Sequence, residues 1–474
     1  MSAAGADVVV VGGGLAGLAA ALECADRGAQ VAVVERRPRL GGLTWSFHHR
    51  GLTVDNGQHV FLRCCHAYLD FLRRIGSDSD VTIQRRLDVT VLTPGGRGAR
   101  LRRNLLPAPL HLAPSLLRYR HLGAGDRLRL GRAAWSLRRA DLADPALDAQ
   151  TFAAWLAERG QGAGAVEALW DLITVPTVNL PAAQASAAMG AKVFQTGLLS
   201  HRGAADIGWS RVPLGFLHGE RAASALRGVG AEVATGETVV SVEEGKGSPG
   251  PALIVRTDRR RLVAGAVVVA VPHLAVNDIL PPGAAPGQQG WGRLGASPIV
   301  DVHVVYDRAV TDLPFAAALG SPVQWVFDRT ATSGLDRGGR QGQYLAVSMS
   351  AADAWVGRHP REIAAAVVAA LQQLLPGAGR ARVVDTLVTK ERTATFRAGP
   401  GTGSLRPGPR TALGGVALAG AWTATGWPAT MEGAVRSGRA AARVALETAG
   451  RPAMAAASSA PPTTTAQPLP EEVA

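Results

Sequence analysis

The sequence predicts an α/β protein with a Rossmann-type dinucleotide-binding domain assembled from both ends of the chain. Three observations support this prediction. A valine-rich segment runs into Gly12-Gly13-Gly14-Leu15-Ala16-Gly17, a second apolar segment ends at Glu35, and another glycine-bearing segment begins at Met431. The chain has 474 residues, more than one hydrophobic core usually supports, so a second domain is expected.

The first element is a strand over residues 6–11, because a run of valines is typical of a strand buried on both faces of a parallel sheet. The three glycines that follow have separate functions. Gly12 permits the tight turn, Gly14 lets the backbone approach a pyrophosphate, and Gly17 lets the next helix lie close to the strand.

The next helix is predicted over residues 15–26 and begins with Leu15-Ala16. Its N-terminus would present N–H groups and a positive dipole end to a phosphate. A second buried strand, residues 30–34, leads to Glu35, which lies 18 residues beyond the last glycine of the motif. A carboxylate at this distance accepts hydrogen bonds from a ribose diol and favours an unphosphorylated ribose.

A basic segment with a glycine pair follows Glu35. Arg36 and Arg37 are candidates to neutralise phosphate. Gly41 and Gly42 allow the backbone to pass close to the cofactor, and Leu43 is assigned to the same contact. The alternative interpretation is a solvated basic loop.

The rest of the chain divides between two domains. The dinucleotide domain is predicted to contain residues 1–80, 204–290 and 405–450, and a substrate domain of α+β type residues 81–203 and 291–404. Within the substrate domain, residues 81–203 are expected to be a helix-rich insertion. Residues 298–306 alternate as a strand with a polar face towards the substrate cavity. The tail, residues 451–474, has no periodicity and is predicted to be disordered.

Positive charge is concentrated in one segment. The net charge is +13, and residues 97–139 carry 11 arginines against one acid, Asp126, interleaved with leucines, prolines and Trp135. A basic and apolar surface of this kind binds an anionic membrane. The alternative is an ordinary helical face whose arginine stems cover apolar surface. No aromatic-basic pattern of a nucleic-acid module is present, so no nucleic-acid partner is expected.

Cysteine usage predicts a reducing compartment. Cys24, Cys64 and Cys65 form an odd and sparse set, which argues against a disulfide framework, and none has metal-ligand spacing. No metal site is therefore expected. The first predicted strand begins too early for a signal peptide, and no apolar run has bilayer-spanning length. We expect a cytoplasmic protein, with contact at the inner face of the cell membrane if the arginine-rich segment binds lipid.

Three segments resemble the amine oxidase and phytoene desaturase superfamily of FAD enzymes, namely residues 12–17, 35–42 and 418–441. The resemblance implies FAD as the cofactor. In that family the C-terminal motif touches the pyrophosphate, the ribityl chain and the flavin ring. A helix starting near Thr430 would aim its N–H groups at a flavin carbonyl. The contacts implied here are Gly420, Ala421, Thr430, Met431, Glu432 and Ala434.

This chain departs from the family at Ala421, where an acid is usual, so only backbone contact to the ribityl chain is expected there. Two further cofactor contacts come from other segments. Residues 54–60 look like a loop that returns beneath the cofactor, and this loop carries Gln58 and His59. Val239 is predicted to pack against the adenine.

Shorter motifs resemble one branch, the squalene-associated FAD-dependent desaturases, now understood as hydroxysqualene dehydroxylases. They are Asp55-Asn56-Gly57-Gln58-His59, Phe152-Ala153-Ala154-Trp155-Leu156, Trp170-Asp171-Leu172, Val178-Asn179-Leu180-Pro181, Val193-Phe194-Gln195 and Ala205-Asp206-Ile207-Gly208. The resemblance implies reductive removal of an allylic hydroxyl from a long isoprenoid in hopanoid biosynthesis. Reduced FAD would supply the hydride, and an electron donor that the sequence does not identify would reduce FAD.

Such a reaction needs a proton for the departing hydroxyl. The candidate donors are His59, Asp206, Asp301 and His303, of which His59 and Asp206 are preferred. A buried acid at Asp206 would have a raised pKa. The alternatives are a cofactor contact for His59 and a helix cap for Asp206.

Aromatic faces are candidates to stabilise transient positive charge on the substrate. Those considered are Phe194, Trp209, Trp325 and Phe327, and the alternative for each is an ordinary place in the core.

Three other functions remain open. A flavin amine oxidase would carry an aromatic residue where this chain has Thr430, and a lysine within residues 247–389, where none occurs. A carotenoid desaturase would take a similar substrate and use the flavin in the oxidative direction. A flavin-binding protein or polyprenyl carrier without chemistry is the non-enzymatic alternative.

Overall fold

The computed structural model describes residues 5–95, 98–245, 252–336 and 341–449. The predicted tail, residues 451–474, lies outside them. The strands, in chain order, are β1 (Gly5–Val11), β2 (Val31–Glu35), β3 (Ser46–His49), β4 (Leu52–Asp55), β5 (Val60–Leu62), β6 (Val81–Ile83), β7 (Asp88–Leu92), β8 (Ala99–Arg102), β9 (Ile207–Ser210), β10 (Glu232–Thr235), β11 (Val239–Glu244), β12 (Leu253–Thr257), β13 (Arg261–Val269), β14 (Ser297–Tyr306), β15 (Phe315–Ala318), β16 (Trp325–Asp328), β17 (Gln343–Met349), β18 (Val383–Thr395) and β19 (Val416–Leu418).

The α-helices are α1 (Leu15–Ala25), α2 (His66–Arg74), α3 (Ala113–Leu117), α4 (Ala124–Arg139), α5 (Pro145–Asp148), α6 (Phe152–Ala157), α7 (Ala163–Ala165), α8 (Asp171–Val178), α9 (Ala187–Phe194), α10 (Arg221–Gly228), α11 (His273–Val276), α12 (Thr330–Ser333), α13 (Asp353–Val356), α14 (Pro360–Leu374) and α15 (Met431–Thr448). Wider π-helical turns occur at Val166–Trp170, Gln195–Leu199 and Gly215–Glu220. Within the described part of the chain, no helix has both the length and the apolar character that a membrane span requires.

Strands from both ends of the chain meet in the first sheet, whose order is β10-β2-β1-β13-β12-β11. Strand β13 pairs in parallel with β1 and with β19. Helix α15 crosses α1 so closely that a Cβ at Gly438 would lie 2.1 Å from the carbonyl oxygen of Ala16. The prediction of an α/β domain assembled from both termini is confirmed.

The second sheet has the order β18-β14-β17-β16-β15-β7-β8. Strand β14, which lies between β18 and β17, has two different faces. One carries Val300, Val302 and Val304, which belong to the same buried cluster as residues of α14. The opposite face carries Asp301 and His303, so the alternation predicted for this strand is confirmed.

The region predicted as a helix-rich insertion begins differently from that expectation. Residues 81–102 form three strands: β6 pairs with β9, and β7 and β8 complete the edge of the second sheet. Helices follow only from α3 onward. Strand β7 alternates between half-buried and buried positions from Asp88 to Val91, which is the period of a strand. The domain boundaries themselves stay predictions.

Candidate functional site

The first glycine motif forms a turn that tolerates no side chain at two positions. Gly12 has φ 106°, and a Cβ there would lie 2.5 Å from the carbonyl oxygen of Ala270. A Cβ at Gly17 would lie 1.9 Å from the carbonyl oxygen of Gly12. Gly14 is the N-cap of α1 and provides no side-chain cap, so the first N–H groups of this helix are left for an anion.

The Glu35 side chain stabilises this turn by hydrogen bonds. Its Oε2 accepts a hydrogen bond from the Gly13 N–H at 2.6 Å, and its Oε1 accepts one from the Arg37 N–H at 2.8 Å. The side chain is buried, and a carboxylate has further acceptor positions. Contact of Glu35 with a ribose stays a prediction.

The second glycine pair lies against the first motif. Gly42 has φ 60°, and a Cβ there would lie 2.8 Å from the Cα of Gly14. The guanidinium of Arg37 donates to the Gly42 carbonyl oxygen at 3.2 Å, whereas Arg36 is exposed. Two lengths of side-chain-free backbone and the N-terminus of α1 therefore form one cradle. This arrangement suits a pyrophosphate, because phosphate oxygens need close approach to N–H groups.

The loop carrying Gln58 and His59 is fixed to the segment after that cradle. The side-chain amide of Asn56 accepts from the Trp45 N–H at 3.0 Å and donates to the Leu43 carbonyl oxygen at 2.8 Å. Asp55 forms a buried ion pair with Arg329 at 3.0 Å. The loop thus connects the first domain to the second sheet.

His303 strengthens the same connection. Its Nδ1 lies 2.6 Å from the Tyr344 hydroxyl and its Nε2 lies 3.3 Å from the Thr389 hydroxyl. Thr389 in turn donates to the Asn56 carbonyl oxygen at 3.0 Å. Burial, with a smaller effect from His49, lowers the pKa of His303 to about 3, so its imidazole is neutral at physiological pH. His303 acts as a structural link in this network.

His59 lies beside an aromatic pocket. Its Nδ1 is 3.4 Å from the Gly57 carbonyl oxygen. Burial lowers the pKa of His59, while the Gly57 carbonyl and the charge of Asp55 act in the opposite direction. The pocket is lined by Asp55, Gln58, His59, Val60, Trp209, Ser210, Leu214, Pro314, Phe315, Phe327, Asp328 and Arg329.

Three of the four aromatic candidates cluster around Phe315, which the sequence analysis did not single out. Trp209 and Phe327 line the pocket with it, and Trp325 packs beside these rings. The ring centroids of Trp209, Trp325 and Phe327 lie 5.4, 6.2 and 6.1 Å from that of Phe315. The fourth, Phe194, instead packs against Trp170 and Phe152 in the helical insertion. Phe315 of β15 pairs opposite Phe327 of β16, a contact between strands that the local sequence pattern does not reveal.

Asp206 differs from the expectation for a proton donor. Arg103 and Arg63 bind its carboxylate at 2.6 and 3.0 Å, and the Leu87 N–H donates to it at 2.7 Å. Burial alone would raise the pKa of Asp206. The hydrogen bonds from the two arginines and the positive charge of Arg103 outweigh that effect, and the pKa lies below its ordinary value. The expectation of a raised pKa is therefore wrong. The sequence does not indicate these two partners, because both arginines are far from residue 206 along the chain.

The C-terminal motif is organised by Arg406, a residue that the sequence analysis did not single out. Gly420 has φ 143°, and its N–H donates to the Ser437 hydroxyl at 2.9 Å. The buried guanidinium of Arg406 donates to the carbonyl oxygens of Ala421, Thr423 and Trp427 at 3.2, 2.5 and 2.9 Å. One side chain therefore holds the whole turn between β19 and α15.

Helix α15 begins where predicted. The Thr430 hydroxyl is its N-cap and accepts from the Gly433 N–H at 3.2 Å. The Glu432 carboxylate is directed elsewhere, since it accepts from the Tyr68 N–H of α2 at 2.7 Å and from Arg436 at 2.6 Å. A contact between Glu432 and the cofactor would therefore come from its backbone.

The remaining predicted cofactor contacts lie close to these elements. Met431 and Ala434 are half-buried in the first turn of α15, and Val239 is buried at the start of β11. The Gln58 Nε2 is buried and has no hydrogen-bond partner among the described residues. A polar group of a bound molecule would satisfy this donor. These contacts stay predictions, and the cradle and this donor fit a dinucleotide cofactor.

Cys24, Cys64 and Cys65 are free and buried. Within residues 5–95, 98–245, 252–336 and 341–449, no group of His, Cys, Asp or Glu side chains has the arrangement of a metal site.

Comparison with known proteins agrees with this geometry. The model of the family described as flavin containing amine oxidoreductase matches residues 15–446. Hydroxysqualene dehydroxylase of Rhodopseudomonas palustris is 28% identical over 94% of this chain and 99% of its own length. Zeta-carotene desaturase of Zea mays is 25% identical over 91% of this chain and 82% of its own length.

Among solved structures, a redesigned putrescine oxidase carrying three substitutions superposes with a TM-score of 0.70. It is 21% identical, over 94% of this chain and 99% of that one, which supports the fold alone. The family match and the dinucleotide cradle identify FAD as the cofactor. The chain therefore belongs to the flavin containing amine oxidoreductase family and is an FAD-dependent oxidoreductase.

Proposed function

We propose that this enzyme removes the hydroxyl group of hydroxysqualene reductively and forms squalene for hopanoid biosynthesis. The observation that carries the proposal is the aromatic pocket beside His59, with Trp209, Phe315 and Phe327 in its lining. A cleaving allylic C–O bond develops positive charge on carbon, and aromatic faces stabilise such charge. The similarity to hydroxysqualene dehydroxylases over nearly the full length supports the same reaction.

The reaction converts R–OH, a hydride and a proton into R–H and water. FAD, when reduced and bound, supplies the hydride. The glycine cradle and the α1 N-terminus would hold the cofactor, and the turn fixed by Arg406 would present the start of α15 to it. His59 is the residue from which a proton reaches the departing oxygen, and the buried rings exclude water from the reacting carbon. A separate electron donor reduces FAD again after each turnover.

A carotenoid desaturase is the second candidate, because zeta-carotene desaturases also match most of the chain. It would bind a similar apolar substrate and transfer hydride from substrate to oxidised flavin. The two functions therefore predict opposite directions of electron flow. A flavin amine oxidase has less support, since Thr430 is a helix cap and supplies no aromatic wall.

Anaerobic single-turnover assays separate these candidates. We expect hydroxysqualene to reoxidise the photoreduced enzyme with formation of squalene, identified by mass spectrometry. Phytoene or zeta-carotene should leave the oxidised enzyme unreduced. Bleaching of the oxidised flavin by either carotene, without squalene formation in the first assay, would establish the desaturase instead. If hydroxysqualene does not reoxidise the flavin and neither carotene reduces it, the result favours a flavin-binding protein or polyprenyl carrier without chemistry.

We also propose that residues 105–139 form a docking surface for an anionic lipid bilayer. Six exposed large apolar side chains fall in this part of the chain: Leu105, Leu106, Leu110, Leu117, Leu128 and Trp135. Leu128 is 85% exposed and Trp135 is 59% exposed, and both lie on helix α4. Arg129, Arg132 and Arg138 are exposed on the same helix. Apolar side chains that insert and arginines that meet anionic headgroups act together on such a surface.

Cosedimentation with vesicles tests this surface. Binding should be strong for phosphatidylglycerol vesicles, weak for phosphatidylcholine vesicles and reduced by salt. Replacing Leu128 and Trp135 by glutamine should lower the partition coefficient by roughly tenfold. Val240→Gln is the control, because Val240 is also exposed but lies on β11. Equal binding by both variants and the wild type would overturn the docking surface.

A further inference from the structure

One buried carboxyl group next to the His59 loop forms no ion pair with any residue that the structure describes. Asp301 is 2% exposed and lies on β14, between β18 and β17 of the second sheet. Its Oδ1 accepts no hydrogen bond from any described residue. A buried acid without a cation nearby keeps its proton more readily than an exposed one, because desolvation disfavours the charged form.

Asp301 and His59 both approach Gly57. The position that a Cβ on Gly57 would occupy is 3.0 Å from Asp301 Oδ2 and 3.7 Å from His59 Cε1. Both side chains therefore come within 4 Å of a single point. A water molecule held between two polar side chains that approach the same point connects them by hydrogen bonds.

The surrounding titratable groups leave the proton on Asp301. Burial lowers the pKa of His59 and lowers that of His303 to about 3, so both rings favour the neutral form. Arg329 is engaged by Asp55, and burial raises the pKa of Tyr344. Lys390 of β18 donates to the Val356 carbonyl oxygen at 3.0 Å.

Asp301 itself titrates in the physiological range. Burial raises the pKa of its carboxyl group to about 7, although Ser348 and the Gln58 backbone act in the opposite direction. A neutral His59 has no proton to spare, whereas a carboxylic acid with this pKa donates one at neutral pH.

We propose that Asp301 is a positioning residue that stores the proton consumed by the reaction, and that His59 delivers this proton to the substrate. This inference rests on the proposed function. The proton leaves the Asp301 carboxyl group and is carried through His59 to the oxygen of the departing hydroxyl. The C–O bond breaks with its electron pair on oxygen, which becomes water, and the carbon accepts the hydride. Asp301 is reprotonated from solvent between turnovers.

The first test measures the carboxyl group without any turnover. Infrared difference spectra of the FAD-loaded wild type should show a protonated carboxyl band that disappears with a midpoint near pH 7. This band should be absent from Asp301→Asn and present in His303→Gln, a matched change two residues away on the same buried face. A wild-type enzyme with no band titrating between pH 5 and pH 9 would overturn the proposal, whatever the reaction proves to be.

The second test measures the single-turnover rate of reduced enzyme with hydroxysqualene against pH. The wild-type rate should fall above pH 7, and Asp301→Asn should be slower by about 10²-fold or more, with this pH dependence lost. His303→Gln should keep the wild-type midpoint even if its rate is lower. Equal rates in Asp301→Asn and the wild type would remove Asp301 from the mechanism.

Two outcomes separate the inference from the proposed function. If Asp301→Asn fails to fold, the wild-type infrared titration and pH profile still decide the matter. If hydroxysqualene is not consumed while the infrared band titrates as expected, the proposed function fails, but the assignment of Asp301 as a protonated buried carboxyl group still holds.

Discussion

Asp206 and Asp301 are both nearly inaccessible, at 1% and 2% exposure, yet their surroundings are opposite. Asp206 joins β9 to the segment of Arg103 and receives two guanidinium groups and a backbone N–H. Asp301 faces a glycine and has an oxygen without a partner among the described residues. The pKa of the first is lowered, and that of the second is raised.

This contrast shows that burial does not decide what a carboxyl group does. The protonation state of a buried carboxyl group is set by the charges and hydrogen-bond donors around it, which come from distant parts of the chain. Asp206 is held as an anion and ties two regions together, so it is unsuited to give up a proton. Asp301 has the environment that the sequence analysis expected of Asp206. Opposite responses to mutation and to pH are therefore expected for the two residues.

The largest effect is expected from removing the better buried partner of Asp206. Arg103 is 10% exposed, and it binds both carboxylate oxygens, at 2.6 and 2.9 Å. Arg103→Met should lower the free energy of unfolding by about 3–5 kcal/mol, because it leaves a buried anion with one partner fewer. Urea titration of the FAD-loaded protein measures this change. A loss below 1 kcal/mol would mean that Asp206 is protonated after all.

A substitution of Asp301 tests whether the second buried carboxyl group has a different effect on stability. At pH 6 the carboxyl group is mostly protonated, so Asp301→Asn replaces one neutral group by another of similar shape. Its free energy of unfolding should stay much closer to that of the wild type than that of Arg103→Met does. A comparable loss in both variants would make the two sites energetically alike and would contradict the comparison.

The next effect is a pH dependence of stability with a defined sign. The pKa of Asp301 is about 7 in the folded protein, and that of an unfolded Asp is about 3.9. Between these values the folded state binds the extra proton, so this group makes stability fall as pH rises from about 4 to about 7. Asp206 has the opposite sign: its stabilisation is present above the unfolded pKa and is lost at lower pH.

Asp301→Asn removes the first contribution. The stability of the variant relative to the wild type should therefore increase by about 2–3 kcal/mol between pH 5 and pH 7. Urea titrations at pH 5, 6 and 7 in excess FAD measure the difference. Arg103→Met should not show this trend. A constant difference between Asp301→Asn and the wild type would mean that Asp301 is ionised throughout this range.

The accuracy of the sequence predictions follows the range of the interactions involved. The glycine motif, Glu35 and the start of α15 were predictable because strand, turn and helix are encoded within about 20 residues. The polar face of β14 was also predictable from its alternation. The partners of Asp206 were not, since Arg63 and Arg103 are separated from it by 143 and 103 positions. Arg406 was missed for a different reason: its partners are backbone carbonyl groups 15 to 21 positions away, which leave no pattern in the side-chain sequence.

The smallest effect is expected from the second partner of Asp206. Arg63 is 42% exposed, compared with 10% for Arg103, so water replaces much of what its guanidinium provides. Arg63→Met should lower the free energy of unfolding by only about 1 kcal/mol. Part of that loss comes from the Gln84 carbonyl oxygen, which accepts from Arg63 at 2.8 Å. Urea titration of the two arginine variants at the same pH ranks them, and equal losses would mean that the exposure of the guanidinium does not govern its contribution.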